Sequence, residues 1–400
     1  MKSAAKKFKV IMVTGTNGKT TTSAMITNIL RLDNKSVISN NTGANMIDGI
    51  LTCFIANYGK SGWAVMETDE AYTRVITEYL KPEFIVVTNV FRDQLDRFGE
   101  IYTTWEKIKD AILKSPESKL VFNGDLELFA KIDFKNPVFY YGFKNGAGEK
   151  KVNAENAFCL CCGERLTFNF ITFSNLGDYY CENCGFKRPF LSYTLDEIIE
   201  QTTEGTKAII SGVPVELSVP GVYNVYNALA AFALADLAGI DKEQIALGLS
   251  TQGSCFGRNE SIKVDGSSLH MALIKNPTGC DQCIDAITLY SDPCSLLFML
   301  NDNWADGTDV SWVWDANFEK TAGMQYSKVL IGGMRRYDMA IRLKVAGLDE
   351  KKFVLLEDDN QILESVSDCK GKVFAFCTYT AMTGLRRTMY NKGIVKDMWK

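Results

Sequence analysis

Near the start of the chain, Thr14-Gly15-Thr16-Asn17-Gly18-Lys19-Thr20-Thr21-Thr22 has the residue types and the order that hold a phosphate. An apolar run, Phe8–Val13, precedes it, and an amphipathic stretch ending near Leu32 follows. Strand, glycine turn and helix start, in that order, aim backbone N–H groups and the positive end of the helix dipole at an anion. Lys19 is then placed to reach the outer phosphates and the Thr20 hydroxyl to sit on Mg²⁺. Lys19 is expected on a solvent-facing loop, replaceable without loss of the fold. The strict phosphate-loop pattern asks for a glycine five residues before Gly18, where Val13 stands, so this is a shorter loop.

Two cysteine pairs form a second constellation. Cys159-x-x-Cys162-Gly and Cys181-x-x-Cys184-Gly have the spacing of a four-thiolate Zn²⁺ site. Each glycine lets the chain turn back so that both sulfurs face one point. Cys161 is a further thiol, and the two-residue gap and following glycine favour Cys162 as the ligand. Four thiolates leave no open position, so the predicted site is structural and supplies folding energy to a short insertion. Acids after apolar strands form the third group. Glu67 ends Trp63–Met66 and can hold Mg²⁺ beside Thr20. Four aspartates, 302, 306, 309 and 315, follow the run Ser295–Leu300. Asn224 and Asn227, three apart, share one helix face and could meet an adenine edge, or Asn224 could cap the helix.

The elements that must position these residues alternate. Strands are expected at Val10–Val13, Ser36–Ser39, Trp63–Met66, Phe84–Thr88, Leu120–Phe122 and Val138–Tyr141, with helices at Thr20–Leu32, Met46–Asn57 and Tyr102–Leu113. That order predicts an α/β fold with a mostly parallel sheet covered on both faces. Strand-type runs at Lys207–Ile210 and Val215–Val219 and a helix at Val225–Ala238 follow the cysteine-rich insertion, placed at about 157–190. A smaller α/β unit is expected over 253–400, after a nucleotide-binding unit over 1–252. Its strands are expected at Leu269–Ile274, Ser295–Leu300, Lys328–Ile331, Phe353–Leu355 and Lys372–Phe376.

Composition narrows the function. The chain has 400 residues, a net charge of −4 and one histidine, His270. A slight acidity argues against a nucleic-acid partner. No apolar run approaches a membrane span, and the basic N-terminus lacks the apolar core of a signal peptide. Twelve cysteines without a secretion signal read as reduced thiols and metal ligands.

The shorter phosphate loop resembles the ATP loop of the Mur ligase superfamily, which joins amino acids to carboxylates through acyl phosphates. Pro220-Gly-Val-Tyr-Asn224-Val-Tyr-Asn227-Ala is similar to that family's Gly-x-x-Asn-x-x-Asn-Ala run, and Phe256-Gly-Arg258 to its Gly-Arg turn between domains. The resemblance implies an ATP site of Gly15, Thr16, Asn17, Gly18, Lys19, Thr20, Thr21, Asn224, Asn227 and Arg258. Gln94 stands where many members carry a histidine that helps hold a second Mg²⁺. Ala272 stands where an acid usually meets the ribose. The family's leading nucleotide-sugar-binding domain is expected to be absent. Phosphate loop, cysteine pairs and acidic motif together resemble the MurT family, the synthetase-like subunits of lipid II isoglutaminyl synthase.

That resemblance implies a cytoplasmic, ATP-, Mg²⁺- and Zn²⁺-dependent ligase subunit at the inner membrane face. It would phosphorylate the α-carboxylate of D-glutamate in the lipid II stem peptide. A GatD-type glutaminase partner would supply ammonia to give D-isoglutamine. Asp309 is implied to orient the partner's catalytic histidine, with Lys19 and Glu67 serving the ATP half-reaction. A stand-alone muramyl-peptide or folylpolyglutamate-type ligase is the alternative.

Overall fold

The computed structural model describes residues 2–40, 44–91, 101–146, 151–152, 157–253 and 258–396, without the side chains of 151–152 and 258–259. Gln94 therefore lies outside the described residues, as does the side chain of Arg258.

Nine strands build the first sheet: β1 (Phe8–Thr14), β2 (Val37–Ser39), β3 (Gly62–Glu67), β4 (Phe84–Val87), β5 (Lys119–Asn123), β6 (Val138–Phe143), β10 (Tyr193–Gln201), β11 (Thr206–Ile210) and β12 (Val213–Leu217). β7 (Lys151–Val152), β8 (Thr167–Phe173) and β9 (Leu176–Tyr180) form a separate antiparallel sheet. The large sheet runs β12-β11-β10-β6-β5-β4-β1-β3-β2, parallel from β2 to β10 and antiparallel at the β10-β11-β12 edge. Both faces are covered. Along β3, Trp63 and Val65 join one core with Met25, Ile29 and Leu229, while Ala64 and Met66 join another with Ile50, Phe54 and Ile76. Period-two alternation turns these sets to opposite faces.

The second sheet contains β13 (Arg258–Val264), β14 (Ser267–Leu273), β15 (Cys294–Met299), β16 (Tyr326–Gly332), β17 (Phe353–Leu355) and β18 (Lys372–Cys377). Its order is β13-β14-β18-β15-β16-β17, parallel except for the β13–β14 hairpin. Phe374 and Phe376 face one core with Phe298, and Val373 and Ala375 face another with Leu297.

The asparagine helix differs from the sequence reading, and the strands β7–β10 and β13 are additional to it. The asparagine helix spans Val222–Leu237 and is capped by Gly221, so Asn224 lies inside its first turn and is not the cap. β10 was not foreseen as a strand. Its bulges after Leu195 and Ile198 break the alternation that marks a strand, and its acids face outward.

Candidate functional site

β1 lies between β3 and β4, at the point where the parallel strand order reverses. Ligands of open α/β sheets bind at the carboxyl ends of the strands flanking such a point. Here β1 ends in the Gly15–Gly18 loop that opens the helix Lys19–Leu32, β3 in Glu67, and β4 runs into Thr88 and Asn89.

The loop is held from several sides. Asn17 N–H donates to the Asn89 side-chain oxygen at 2.9 Å, and the Asn17 carbonyl accepts from Asn89 Nδ2 at 3.0 Å and Thr88 Oγ1 at 2.7 Å. Thr16 Oγ1 accepts from Phe91 N–H at 3.0 Å. Gly18 caps the helix Lys19–Leu32 with φ at 86°, and a Cβ there would sit 2.1 Å from Asn227 Oδ1. Only glycine fits, because the asparagine helix packs directly on the turn. The Thr20 hydroxyl is half-buried and has no protein hydrogen-bond partner among the described residues.

Lys19 departs from expectation. It is 8 % exposed, not solvent-facing. Its Nζ donates to the Gly15 carbonyl and to both carboxylate oxygens of Glu70, at 3.1 and 3.2 Å. Burial pushes the Glu70 carboxyl above its ordinary range, and the Lys19 ammonium pulls it back. Glu70 is a site residue that sequence reasoning missed. Its signal in the sequence is the run Glu67-Thr-Asp-Glu70, which carries two further acids just past the strand end. Glu67 is itself buried. Its Oε1 accepts from Asn45 Nδ2 at 3.2 Å, and Asn40 clamps its backbone N–H and carbonyl.

Asn224 and Asn227 share one helix face, as their spacing predicted, and lie against the loop helix, where both are buried in an internal chain of hydrogen bonds. Asn224 Nδ2 donates to the Pro220 carbonyl at 2.7 Å, Asn227 Nδ2 to Asn224 Oδ1 at 3.1 Å, and Thr22 Oγ1 to Asn227 Oδ1 at 3.3 Å. Their first task is to seat the loop helix. From the second sheet, Asn276 reaches the loop: its Nδ2 donates to Asn17 Oδ1 at 3.2 Å. Lys275, beside it, lowers the Glu70 pKa through space. Ala272 is buried in β14 and offers no polar side-chain atom to a ribose.

The four thiols of Cys159, Cys162, Cys181 and Cys184 converge, with all sulfurs within 4.8 Å of one another. The Cys159–Cys184 and Cys162–Cys181 separations are 3.4 and 3.5 Å. Tetrahedral Zn–S bonds of ~2.3 Å put sulfurs about 3.8 Å apart, so this donor set fits the ion. Gly163 and Gly185 turn each knuckle with φ near 78° and 75°. Cys161 is exposed and is not part of the cluster.

At the end of β15 the acidic motif separates into different roles. Asp306 is buried and accepts from the Thr380 backbone N–H at 2.7 Å, which pins the loop to the helix Tyr379–Asn391. Asp302 pairs with Arg335 at 3.7 Å. Asp309 is exposed, and its Oδ1 accepts from Ser311 N–H at 2.8 Å. Trp304 and Trp314 stand exposed on the same segment, 74 % and 52 %.

A Mur ligase middle domain model matches residues 13–184, and a MurT ligase C-terminal model matches 273–382. The fold is similar to a pseudomurein peptide ligase type C from Methanothermus fervidus, with TM-score 0.72 at 22% identity over 96% of this chain and 79% of that one. It is also similar to MurF ligase from Thermotoga maritima in complex with ADP, with TM-score 0.67 at 17% identity over 99% and 82%. In sequence the chain is 32% identical to the subunit MurT of lipid II isoglutaminyl synthase (glutamine-hydrolyzing) from Staphylococcus aureus, over 93% of this chain and 85% of the relative. The corresponding subunit from Streptococcus pneumoniae is 41% identical over 99% of this chain and 90% of its own length. With nearly the whole chain aligned at that identity, and each half matched by its own family model, the chain belongs to the MurT family of Mur-ligase-like proteins.

Proposed function

We propose that this chain is the ATP-dependent subunit of a lipid II isoglutaminyl synthase. It activates the α-carboxylate of D-glutamate in the lipid II stem peptide for amidation. The observation that carries the reading is the phosphate loop at the switch point, with Lys19, Thr20 and Glu67 around it, in a chain 41% identical to a subunit of that name.

The chemistry divides into two steps. A carboxylate oxygen attacks the γ-phosphorus of ATP, the bond to the β-phosphate oxygen breaks, and ADP leaves. Ammonia then attacks the acyl carbon, phosphate departs with the former carboxylate oxygen, and the nitrogen sheds a proton. Backbone N–H groups at the start of the loop helix would bind the phosphates, and Lys19 would exchange Glu70 for them. Mg²⁺, held by Thr20 and Glu67, would neutralise charge on the transferring group. Asn276 would bring the 253–400 unit against the loop on the 1–252 unit. Zn²⁺ at the four cysteines would hold the insertion folded and take no part in the chemistry.

Ammonia is supplied by a glutaminase partner seated on the Asp309 face. On the helix Arg336–Val345, Tyr337, Ile341 and Val345 lie four apart and exposed, an apolar stripe beside Met334. With Trp304 and Trp314 they give the aromatic and aliphatic anchors that interfaces use. Asp309 would orient the partner's histidine. The order β14-β18-β15 sets the strand ends leading to Asn276 and to the acidic loop about 10 Å apart on one sheet edge. Ammonia formed at the partner thus has a short path to the phosphate loop. Lipid II, being lipid-linked, would be met at the membrane face; no helix among the described residues is long and apolar enough to cross a membrane.

The test is amidation of lipid II with ATP, Mg²⁺ and ammonium, followed by mass spectrometry of the stem peptide. A gain of one amide is expected, and Lys19→Ala should abolish it. Undiminished amidation by that variant would refute the assignment.

A further inference from the structure

The small sheet that carries the cysteine pairs reaches both walls of the phosphate loop. The first route runs through Tyr226, on the asparagine helix between Asn224 and Asn227. Its hydroxyl donates to Asp125 Oδ2 at 2.6 Å and lies 2.9 Å from Thr172 Oγ1 of β8. Asp125 is fully buried after β5, and its other oxygen accepts from Arg188 at 2.7 Å. Arg188 follows the second cysteine pair and also meets Asp178 of β9 at 3.1 Å. The neighbouring Tyr180–Lys187 bridge ties the Cys181–Cys184 knuckle to β9. The second route runs through Phe173, at the end of β8. Its ring meets Tyr226 edge-on at 5.6 Å and Phe91 at 6.2 Å. Phe91, in turn, holds Thr16 of the phosphate loop through its backbone.

The insertion's own buried cluster is small: Ala157, Cys159, Leu166, Phe168, Tyr179 and Cys181, two of them from the four-thiol cluster, while its Phe170 and Leu176 pack into the main core. A core of that size depends on the ion. Loss of the metal would loosen Arg188, Thr172 and Phe173, and with them part of the support of Tyr226 and Phe91, although Tyr226 also stacks on Phe143 at 4.3 Å.

We propose that the cysteine-rich insertion is an allosteric strut, in which metal binding at the four cysteines and nucleotide binding at the phosphate loop are coupled through Tyr226 and Phe173. The inference rests on the ATP and Zn²⁺ sites of the proposed function. Tyr226, Asp125 and Phe173 are positioning residues, touching neither nucleotide nor metal. Coupling between binding sites is reciprocal, and typical values change affinity about 5–150-fold.

The test uses the full chain loaded with zinc. Mg·ADP affinity is measured by calorimetry before metal extraction, after it, and after zinc is restored. Zinc affinity is measured by equilibrium competition with a chelator, with and without saturating Mg·ADP. The nucleotide Kd should rise at least about fivefold without zinc and recover when it returns, and Mg·ADP should tighten zinc by the same factor. If the metal-free chain unfolds, the competition experiment on loaded protein still decides. The double variant Tyr226→Phe/Phe173→Leu should bind zinc but lose the coupling. Folded protein that binds both ligands with independent affinities would overturn the strut and leave the proposed function standing. So would a double variant with undiminished coupling. A chain that binds no zinc would overturn the strut and the zinc site but not the amidation chemistry, and one that binds no nucleotide would overturn both the strut and the proposed function.

Discussion

Lys19→Ala should damage folding as well as phosphate binding. In the structure the Lys19 ammonium and the Glu70 carboxylate have side chains 9 % and 5 % exposed and lie 3.1 Å apart. Removing one partner of a buried pair leaves an uncompensated charge, which typically costs about 3–5 kcal/mol. In a unit of roughly 150–250 residues, each kcal/mol lowers Tm by about 2–4 °C, so the expected fall is ~6–20 °C. Glu70 can escape part of the penalty by protonating, and burial already raises its pKa. The deficit of Lys19→Ala should therefore shrink as pH falls through the raised pKa of Glu70 and grow as pH rises. Removing both charges, in Lys19→Met/Glu70→Gln, should recover most of the stability while phosphate binding stays lost. Thermal unfolding across pH, paired with nucleotide titration, reads both effects. A Lys19→Ala chain as stable as the parent at all pH values would refute the argument, as would a double variant less stable than Lys19→Ala.

Three further outcomes are expected. Asp309→Asn should reduce glutamine-driven amidation by orders of magnitude in the complex while leaving ammonia-driven amidation intact, as steady-state rates with each nitrogen source would report. If both rates fall in folded, partner-bound protein, Asp309 belongs to the ATP site. Cys181→Ser should lose the bound zinc, measured by elemental analysis, and destabilise residues 157–190, measured by hydrogen exchange. Zinc content equal to the parent would remove Cys181 from the ligand set. Burial pushes the Asp125 carboxyl up to about 6 despite Arg188. Its contribution to stability is thus complete below the usual aspartate range and is lost as pH rises through about 6, worth ~3 kcal/mol. Asp125→Asn should flatten the stability curve between pH 4 and 7 by about that amount. A variant curve parallel to the parent's would contradict the shift.

The phosphate loop and the cysteine cluster were legible because their chemistry is local. A glycine turn between strand and helix, or two knuckles of fixed spacing, is written in consecutive residues. The alternating strands were legible for the same reason, since buried parallel strands such as Phe84–Val87 are short apolar runs. What escaped depends on contacts distant in sequence. The burial of Lys19 is set by Glu70, which a different strand end delivers. The Asp125–Arg188–Tyr226 network joins residues 63 and 101 positions apart. Asn276 meets Asn17 only because the helix Pro277–Ile287 packs on the asparagine helix. β10 stayed hidden because its bulges and exposed acids erase the period-two pattern. Only the family resemblance singles out Asp309; residue type and spacing alone do not separate it from Asp306, which the fold uses to anchor the loop to Thr380.

The central claim is that the loop around Lys19 transfers phosphate to a substrate carboxylate. Lipid II labelled with ¹⁸O in the α-carboxylate of D-glutamate tests it most directly. With ATP, Mg²⁺ and ammonium, each amide formed should release one phosphate carrying one ¹⁸O, together with ADP. Amide formation accompanied by unlabelled phosphate, or by AMP and pyrophosphate, would contradict it.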